Sequence, residues 1–258
     1  MLKSVHPVAK TALLSLLILV SLQLVAAFPA NKEVVTTSDG TGNTSKADLA
    51  AYTSLYNNLH LGNLQLSREA FLFAVQGFHK LIAAGTLQNE RILSIVDFSL
   101  PSDKKRLFVI DLLKGKLLFN TYVAHGRNSG ETMATSFSND LQSNKSSLGF
   151  YVTGKTYRGE HGYSLRLNGM ESGINDNAYN RNIVIHGASY VNAKVVARQG
   201  AIGRSLGCPA LPQGLHKAII QKIRNGSCLF LYGPDPQYVK QSPLLSNDSV
   251  VSAPAPVI

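Results

Sequence analysis

Residues 106–126 read RLFVIDLLKGKLLFNTYVAHG, two short runs rich in β-branched and aromatic residues on either side of Lys114 and Gly115. Runs of this length and composition, broken by a turn signal, predict two paired strands. The same texture continues in GFYVTGKTY (149–157), YSLRL (163–167), NIVIHGA (182–188) and CLFLYG (228–233), with turn residues in NSGET (128–132) and at Asn168 and Gly169. Many short strands with polar punctuation predict a mainly β domain over 101–240, a mostly antiparallel sandwich or barrel. One helix, roughly 214–225, interrupts it near the C-terminus. Upstream the period changes. After Ser67, a candidate N-cap, Ala70, Phe71, Ala74, Phe78, Leu81 and Ile82 recur at helical spacing up to Gly85. With a shorter helix over 49–59, this predicts an N-terminal helical addition, and 49–100 is assigned to it. Its Phe and Leu stripe reads as core and not as a cofactor box. No internal repeat is present.

The ends read differently. Lys3 and Lys10 open the chain, Thr11 to Val25 is apolar, and Val25, Ala26 and Ala27 offer a small-residue exit, the pattern of a cleaved export signal over 1–27. The apolar run is shorter than the ~20 residues that span a bilayer, and no cysteine near the cleavage point offers a lipid anchor. Residues 28–48, FPANKEVVTTSDGTGNTSKAD, read as a linker, and 241–258, with Pro254 and Pro256, as a loosely held tail. Apolar residues at 45% supply a core, and charged residues at 16% are too few for a disordered chain. The net charge is +10, and +8 once Lys3 and Lys10 are removed. A basic exported protein suits anionic wall polymers or membrane surfaces, and export argues against nucleic acid. The oligomeric state is not legible.

Two cysteines make up the supply, Cys208 and Cys228. Cys228 in SCLFLYG reads as a small core residue, with a disulfide as the alternative in an oxidising compartment. Cys208 lies in RSLGCPAL (204–211). Pro209 pushes Cys208 toward extended backbone and Gly207 permits dihedrals other residues avoid, so the thiol sits on a sharp bend whose amides can converge on an oxyanion. A thiol needs a base to become a nucleophile. His186, 22 residues earlier at the end of an apolar strand, is the candidate. Gly187 after it allows a main-chain carbonyl to take Nδ1–H and leave Nε2 free. Each residue also has a plain reading, as a buried loop thiol and a strand-closing histidine; the pair favours chemistry. His125, His161, His60, His79 and His216 are weaker, with His161 able to line a cleft. A zinc site from His125, His161, His186 and Cys208 lacks the tight ligand spacing. Arg158, Arg166, Arg181 and Arg204 flank these segments as candidate carboxylate partners, though each singly suits a solvated surface.

IVIHGA followed by SLGCPA resembles the catalytic signature of YkuD-like L,D-transpeptidases, in the branch with helices before the catalytic domain. SSLGFYVTG from Ser146 is similar to that family's Thr-Pro-x-Gly start of a strand, so the likeness runs from about Arg106 to Gly233. The resemblance implies that residues 101–240 are a catalytic domain, acting on peptidoglycan stem peptides in the periplasm or wall without metal or organic cofactor. It implies that Cys208 attacks the third-residue carbonyl of a donor tetrapeptide, expels D-alanine and passes the acyl group to an amine or to water. His186 is then the base, the Gly187 carbonyl orients it, and amides around Leu206, Gly207 and Cys208 hold the oxyanion. Arg204, Ser205 and His161 are expected to meet substrate. Three positions depart from the pattern: Leu206 stands where a second histidine is usual, Ala210 where a polar residue is, and Ser147 where proline is. A carboxypeptidase, an enzyme attaching wall proteins, and a wall-binding module with an inert Cys208 remain alternatives. Sortases separate His and Cys more widely, and papain-like amidases place the Cys first.

Overall fold

The computed structural model describes residues 46–246; the leader expected at 1–27, most of the linker at 28–48 and residues 247–258 lie outside the described residues. Two helices come first, α1 (Lys46–Asn58) and α2 (Arg68–Ala83). Ser67 caps α2, its hydroxyl accepting from the Ala70 amide at 3.3 Å, which satisfies an N–H that a helix start leaves unpaired. At the other end Gly85 takes φ +64°, and the amides of Gly85 and Thr86 donate to the carbonyls of Ile82 and Leu81, a glycine-terminated cap. Ala70, Phe71, Ala74, Phe78 and Leu81 are buried, and each large side chain contributes roughly 1.5–3 kcal/mol by leaving water.

Besides 3-10 turns at Arg127–Ser129 and Asp176–Ala178, the remaining elements are β1 (Asn89–Asp97), β2 (Leu107–Asp111), β3 (Lys116–Thr121), β4 (Gly149–Gly159), β5 (Gly162–Gly169), β6 (Val184–Ile185), β7 (Gly187–Ala188), α3 (Ala193–Gln199), β8 (Leu211–Pro212), α4 (His216–Ile223), β9 (Ser227–Tyr232) and α5 (Pro236–Gln241). Seven strands form one sheet in the order β3-β2-β1-β9-β4-β5-β6, antiparallel throughout except where β1 runs parallel to β9. β7 and β8 form a separate parallel pair. α2 packs on β1 and β9. It also meets β4 so closely that a Cβ on Gly77 would stand 2.1 Å from Phe150 Cζ. Cys228 is buried in β9, and both cysteines are free. Among the described residues no helix is long and apolar enough to cross a membrane.

The mainly β architecture with an N-terminal helical addition holds, with three corrections to its boundaries. Residues 89–97, assigned to the helical segment, form β1, in the middle of the sheet. Ile92 to Asp97 are all buried, so both faces are covered and the alternation that marks a half-exposed strand is lost. Two short helices, α3 and α5, join the expected one. Each is capped by a side chain, Asn192 to the Val195 amide at 2.9 Å and Asp235 to the Gln237 amide at 2.9 Å. Finally, residues 241–246 are held and not loose. Glu171 accepts from the hydroxyls of Tyr238 and Ser242, Gln76 donates to the Leu245 carbonyl at 2.8 Å, and Lys80 donates to the Pro243 carbonyl at 3.0 Å.

Candidate active site

The sheet ends at β6, which pairs with β5 on one side only. His186 follows directly and turns the chain into β7. Its ring is buried and Nδ1 lies 3.1 Å from its neighbour's carbonyl, Gly187 O. A carbonyl only accepts, so the proton sits on Nδ1 and Nε2 keeps its lone pair. Gly187 is required by close approach: a Cβ there would stand 2.5 Å from His216 Nδ1 and 2.7 Å from Gln213 Oε1. The His186 carbonyl accepts the Leu211 amide at 2.8 Å. His186 is thus stitched to the strand that leaves the cysteine bend.

That bend is fixed from both ends. Ser205 donates its amide to His125 O at 2.9 Å and accepts the Arg127 amide at 2.8 Å. Gly207 takes φ +126°, and a Cβ on it would lie 2.8 Å from Lys145 O and 2.9 Å from Ile183 Cδ1. Ser146 Oγ donates to Gly207 O at 3.1 Å. Ser205 Oγ accepts the Gly207 amide at 3.1 Å and donates to Cys208 O at 2.7 Å. Cys208 Sγ accepts the Val184 amide at 3.4 Å and donates to Asn182 O at 3.6 Å, so it rests against the open edge of β6.

Cys208 and His186 line one cleft of about 750 Å³, with Leu206, Tyr190, Arg204 and Gln213, and with Glu160 and His161 from the β4–β5 turn. His161 stacks on His186 at 4.2 Å between centroids and 21° between planes. Burial lowers the His186 pKa, opposed by the Gly187 carbonyl and reinforced by His161 and His216. The imidazole is therefore neutral at neutral pH, the form a general base needs. Burial pushes the Cys208 thiol up, against the pull of the Val184 amide and the Arg181 guanidinium. At rest the pair is thiol and imidazole, not thiolate and imidazolium.

The expected residues divide. Cys208, His186, Gly187, Leu206, Arg204, Ser205 and His161 meet at the cleft. Ser205 is buried with its hydroxyl engaged twice within the bend, which makes it a brace there. The three-amide oxyanion site is corrected as well: Ser205 Oγ occupies the Gly207 N–H, leaving the amides of Leu206 and Cys208 without a partner among the described residues. Ala210 is buried with Ala124, Ala188, Val191 and Ile202, and is core. Arg204 Nη1 is engaged by Glu131 at 2.7 Å and by the carbonyls of Gly130 and Arg127.

Other residues take places around the cleft that their sequence context did not give. Arg181, a candidate carboxylate partner that singly suited a solvated surface, is half-buried and donates to Ser138 O, Ser147 Oγ, Ser143 Oγ and Lys145 O. It clamps the loop that packs under Gly207 and is a cation that favours the thiolate. Buried Arg106 donates to His125 Nδ1 at 2.7 Å, and His125 faces Gly130 O through Nε2. Burial and that guanidinium hold His125 down to about 4, so it is a neutral strut behind Ser205. Tyr190, its phenol pushed up to about 12 by burial, stands four residues after His186, and that spacing was its only sequence signal.

The seven-stranded sheet thus carries at its edge a buried, carbonyl-oriented histidine beside a bent Gly-Cys-Pro segment. The sequence model of the YkuD_2 L,D-transpeptidase catalytic domain matches residues 63–232, and the chain belongs to that family. Among solved structures, an L,D-transpeptidase from Mycobacterium smegmatis shares 13% identity, with 55% of this chain and 59% of that one covered and a TM-score of 0.34. The helical cell shape determining protein Pgp2 from Campylobacter jejuni shares 17%, covering 56% and 49% at a TM-score of 0.36. An L,D-transpeptidase from Stackebrandtia nassauensis shares 17%, covering 74% and 80% at 0.34. The chain spans about three fifths of the mycobacterial structures it matches. No curated protein matches it.

Proposed function

We propose that this protein is an exported peptidoglycan L,D-transpeptidase in which Cys208 forms a thioester with a donor stem tetrapeptide. The observation that carries the reading is His186 in the cleft of Cys208, with Nδ1 directed at the Gly187 carbonyl at 3.1 Å and Nε2 unengaged. As the thiol turns from Asn182 O toward His186, Nε2 takes its proton and sulfur attacks the carbonyl carbon of the third residue. The developing oxyanion is received by the amides of Leu206 and Cys208. The C–N bond to D-alanine breaks, and His186 returns the proton to the leaving amine. An acceptor amine, losing its proton to His186, then attacks the thioester and restores the thiol. No step requires a metal or organic cofactor. In this reading Arg204 meets a substrate carboxylate through the guanidinium edge that Glu131 leaves open.

A wall-binding domain with an inert thiol is the second reading, and the burial that pushes the Cys208 thiol up favours it. D-alanine release separates the two. Incubated with disaccharide tetrapeptide, the protein is expected to release D-alanine, and Cys208→Ala and His186→Ala to release none above background. Absence of release by the unaltered protein, with retained binding to wall sacculi, would establish the second reading instead.

A further inference from the structure

Arg166 lies outside the residues that line the cleft, yet it is one residue removed from the nucleophile. It sits on β5 opposite Val184 of β6. Its guanidinium carbon stands 4.3 Å from the ring centre of Tyr157 and 5.3 Å from that of Tyr179. Its Nη1 donates to Asn182 Oδ1 at 3.2 Å. Asn182 is the residue whose carbonyl accepts the Cys208 thiol, and it holds a left-handed φ of +52°, a conformation that asparagine tolerates better than most side chains. Tyr179 is half exposed, so the group faces solvent. Among the described residues no carboxylate is paired with Arg166.

A guanidinium lying over two aromatic rings and tethered at one nitrogen is a planar fork whose direction is restricted. What it can still bind is a group in its own plane, and a carboxylate fits that edge with two parallel hydrogen bonds. A cation needed only for solubility would be free to swing, and this one is held by three residues. The direction of the donor chain follows from the chemistry, and here the argument rests on the transpeptidase reading. His186 must protonate the leaving amine, so the leaving residue lies on the His186 side of Cys208, within the cleft. The acyl part that stays on sulfur runs the other way, past Asn182.

We propose that Arg166, held by Tyr157, Tyr179 and Asn182, is the subsite for a carboxylate on the acyl part of the donor peptide. The test uses the whole protein, Arg166→Gln and Arg166→Lys, and a set of donor tetrapeptides in which each carboxylate of the acyl part is converted in turn to its amide. Acylation of Cys208 is followed by intact mass, and the quantity read is the ratio of rates for parent and amidated donors. For one amide the unaltered protein is expected to favour the parent by ~10- to 100-fold, the worth of a charge-assisted bidentate contact. In Arg166→Gln that ratio falls close to unity, and Arg166→Lys, which keeps the charge without the fork, lies between and serves if the Gln variant unfolds. A merely structural role would slow both donors together and leave the ratio as it was, which overturns the proposal. No preference in the unaltered protein overturns it too. If no donor acylates the unaltered protein at all, the transpeptidase reading fails, and the subsite with it.

Discussion

Replacing Glu171 with Gln should change how stability depends on pH, in a way whose sign is fixed by the structure. Glu171 is buried where β5 runs out. It accepts the Phe150 amide at 2.6 Å and the Tyr238 hydroxyl at 3.2 Å, and it is joined to the Ser242 hydroxyl. Burial outweighs those three bonds and raises the carboxyl from its ordinary 4.5 to about 7. Below 4.5 the group is protonated folded and unfolded alike, and costs nothing. Between 4.5 and about 7 the unfolded chain releases the proton while the folded one retains it, so stability falls as pH rises through that window. At about 1.4 kcal/mol for each pH unit, the loss is about 3 kcal/mol, complete above the folded value. His125 acts oppositely: lowered to about 4, it removes stability as pH falls from 6.5. A comparison of the two proteins at each pH cancels that contribution. Urea unfolding from pH 4.5 to 8 should therefore show Glu171→Gln gaining about 3 kcal/mol on the unaltered protein across the range. A difference that stays flat with pH would refute the reasoning.

Gly207→Ala, at φ +126° with its Cβ 2.8 Å from Lys145 O, should lower stability by ~1–3 kcal/mol and slow donor acylation by ~100-fold through a displaced bend; an unchanged acylation rate would contradict the account of the bend. Because burial pushes the Cys208 thiol above its ordinary 9.0 while Arg181 pulls it down, iodoacetamide labelling of the resting protein should keep rising with pH beyond 9, and Arg181→Gln should move the profile higher. A plateau at neutral pH would show a preformed ion pair instead. Gly77→Ala, with a Cβ 2.1 Å from Phe150 Cζ, should cost ~1–3 kcal/mol by overpacking, read as a lower Tm, and no loss would mean that α2 does not press on β4 as described.

The pairing of Cys208 with His186, proposed here as nucleophile and base, could be suggested from sequence because their local needs are written locally: Gly207 and Pro209 bend the chain at Cys208, and Gly187 gives His186 room to meet its carbonyl. The helix from Ser67 to Gly85 was legible for the same reason, with cap, stripe and terminator all within twenty residues of one another. What sequence reading missed depends on distant partners. β1 lost its alternation because it lies inside the sheet with α2 and α4 packed on it. Arg181 looked like a solvated cation until the 138–147 loop closed around it. The Gly207 amide looked available until Ser205, two residues back, turned its hydroxyl inward. The end of the chain looked loose because Glu171, Gln76 and Lys80, which hold residues 241–246, lie about 70 to 170 positions earlier.

Acyl transfer through Cys208 with His186 as base can be read by intact mass followed by peptide mapping of the protein after brief exposure to disaccharide tetrapeptide. The expected result is an adduct with the mass of the donor less D-alanine, on the peptide containing Cys208, absent from the one containing Cys228, and missing in Cys208→Ala and His186→Ala. Donor turnover without any adduct dependent on Cys208, or an adduct undiminished in His186→Ala, would contradict it.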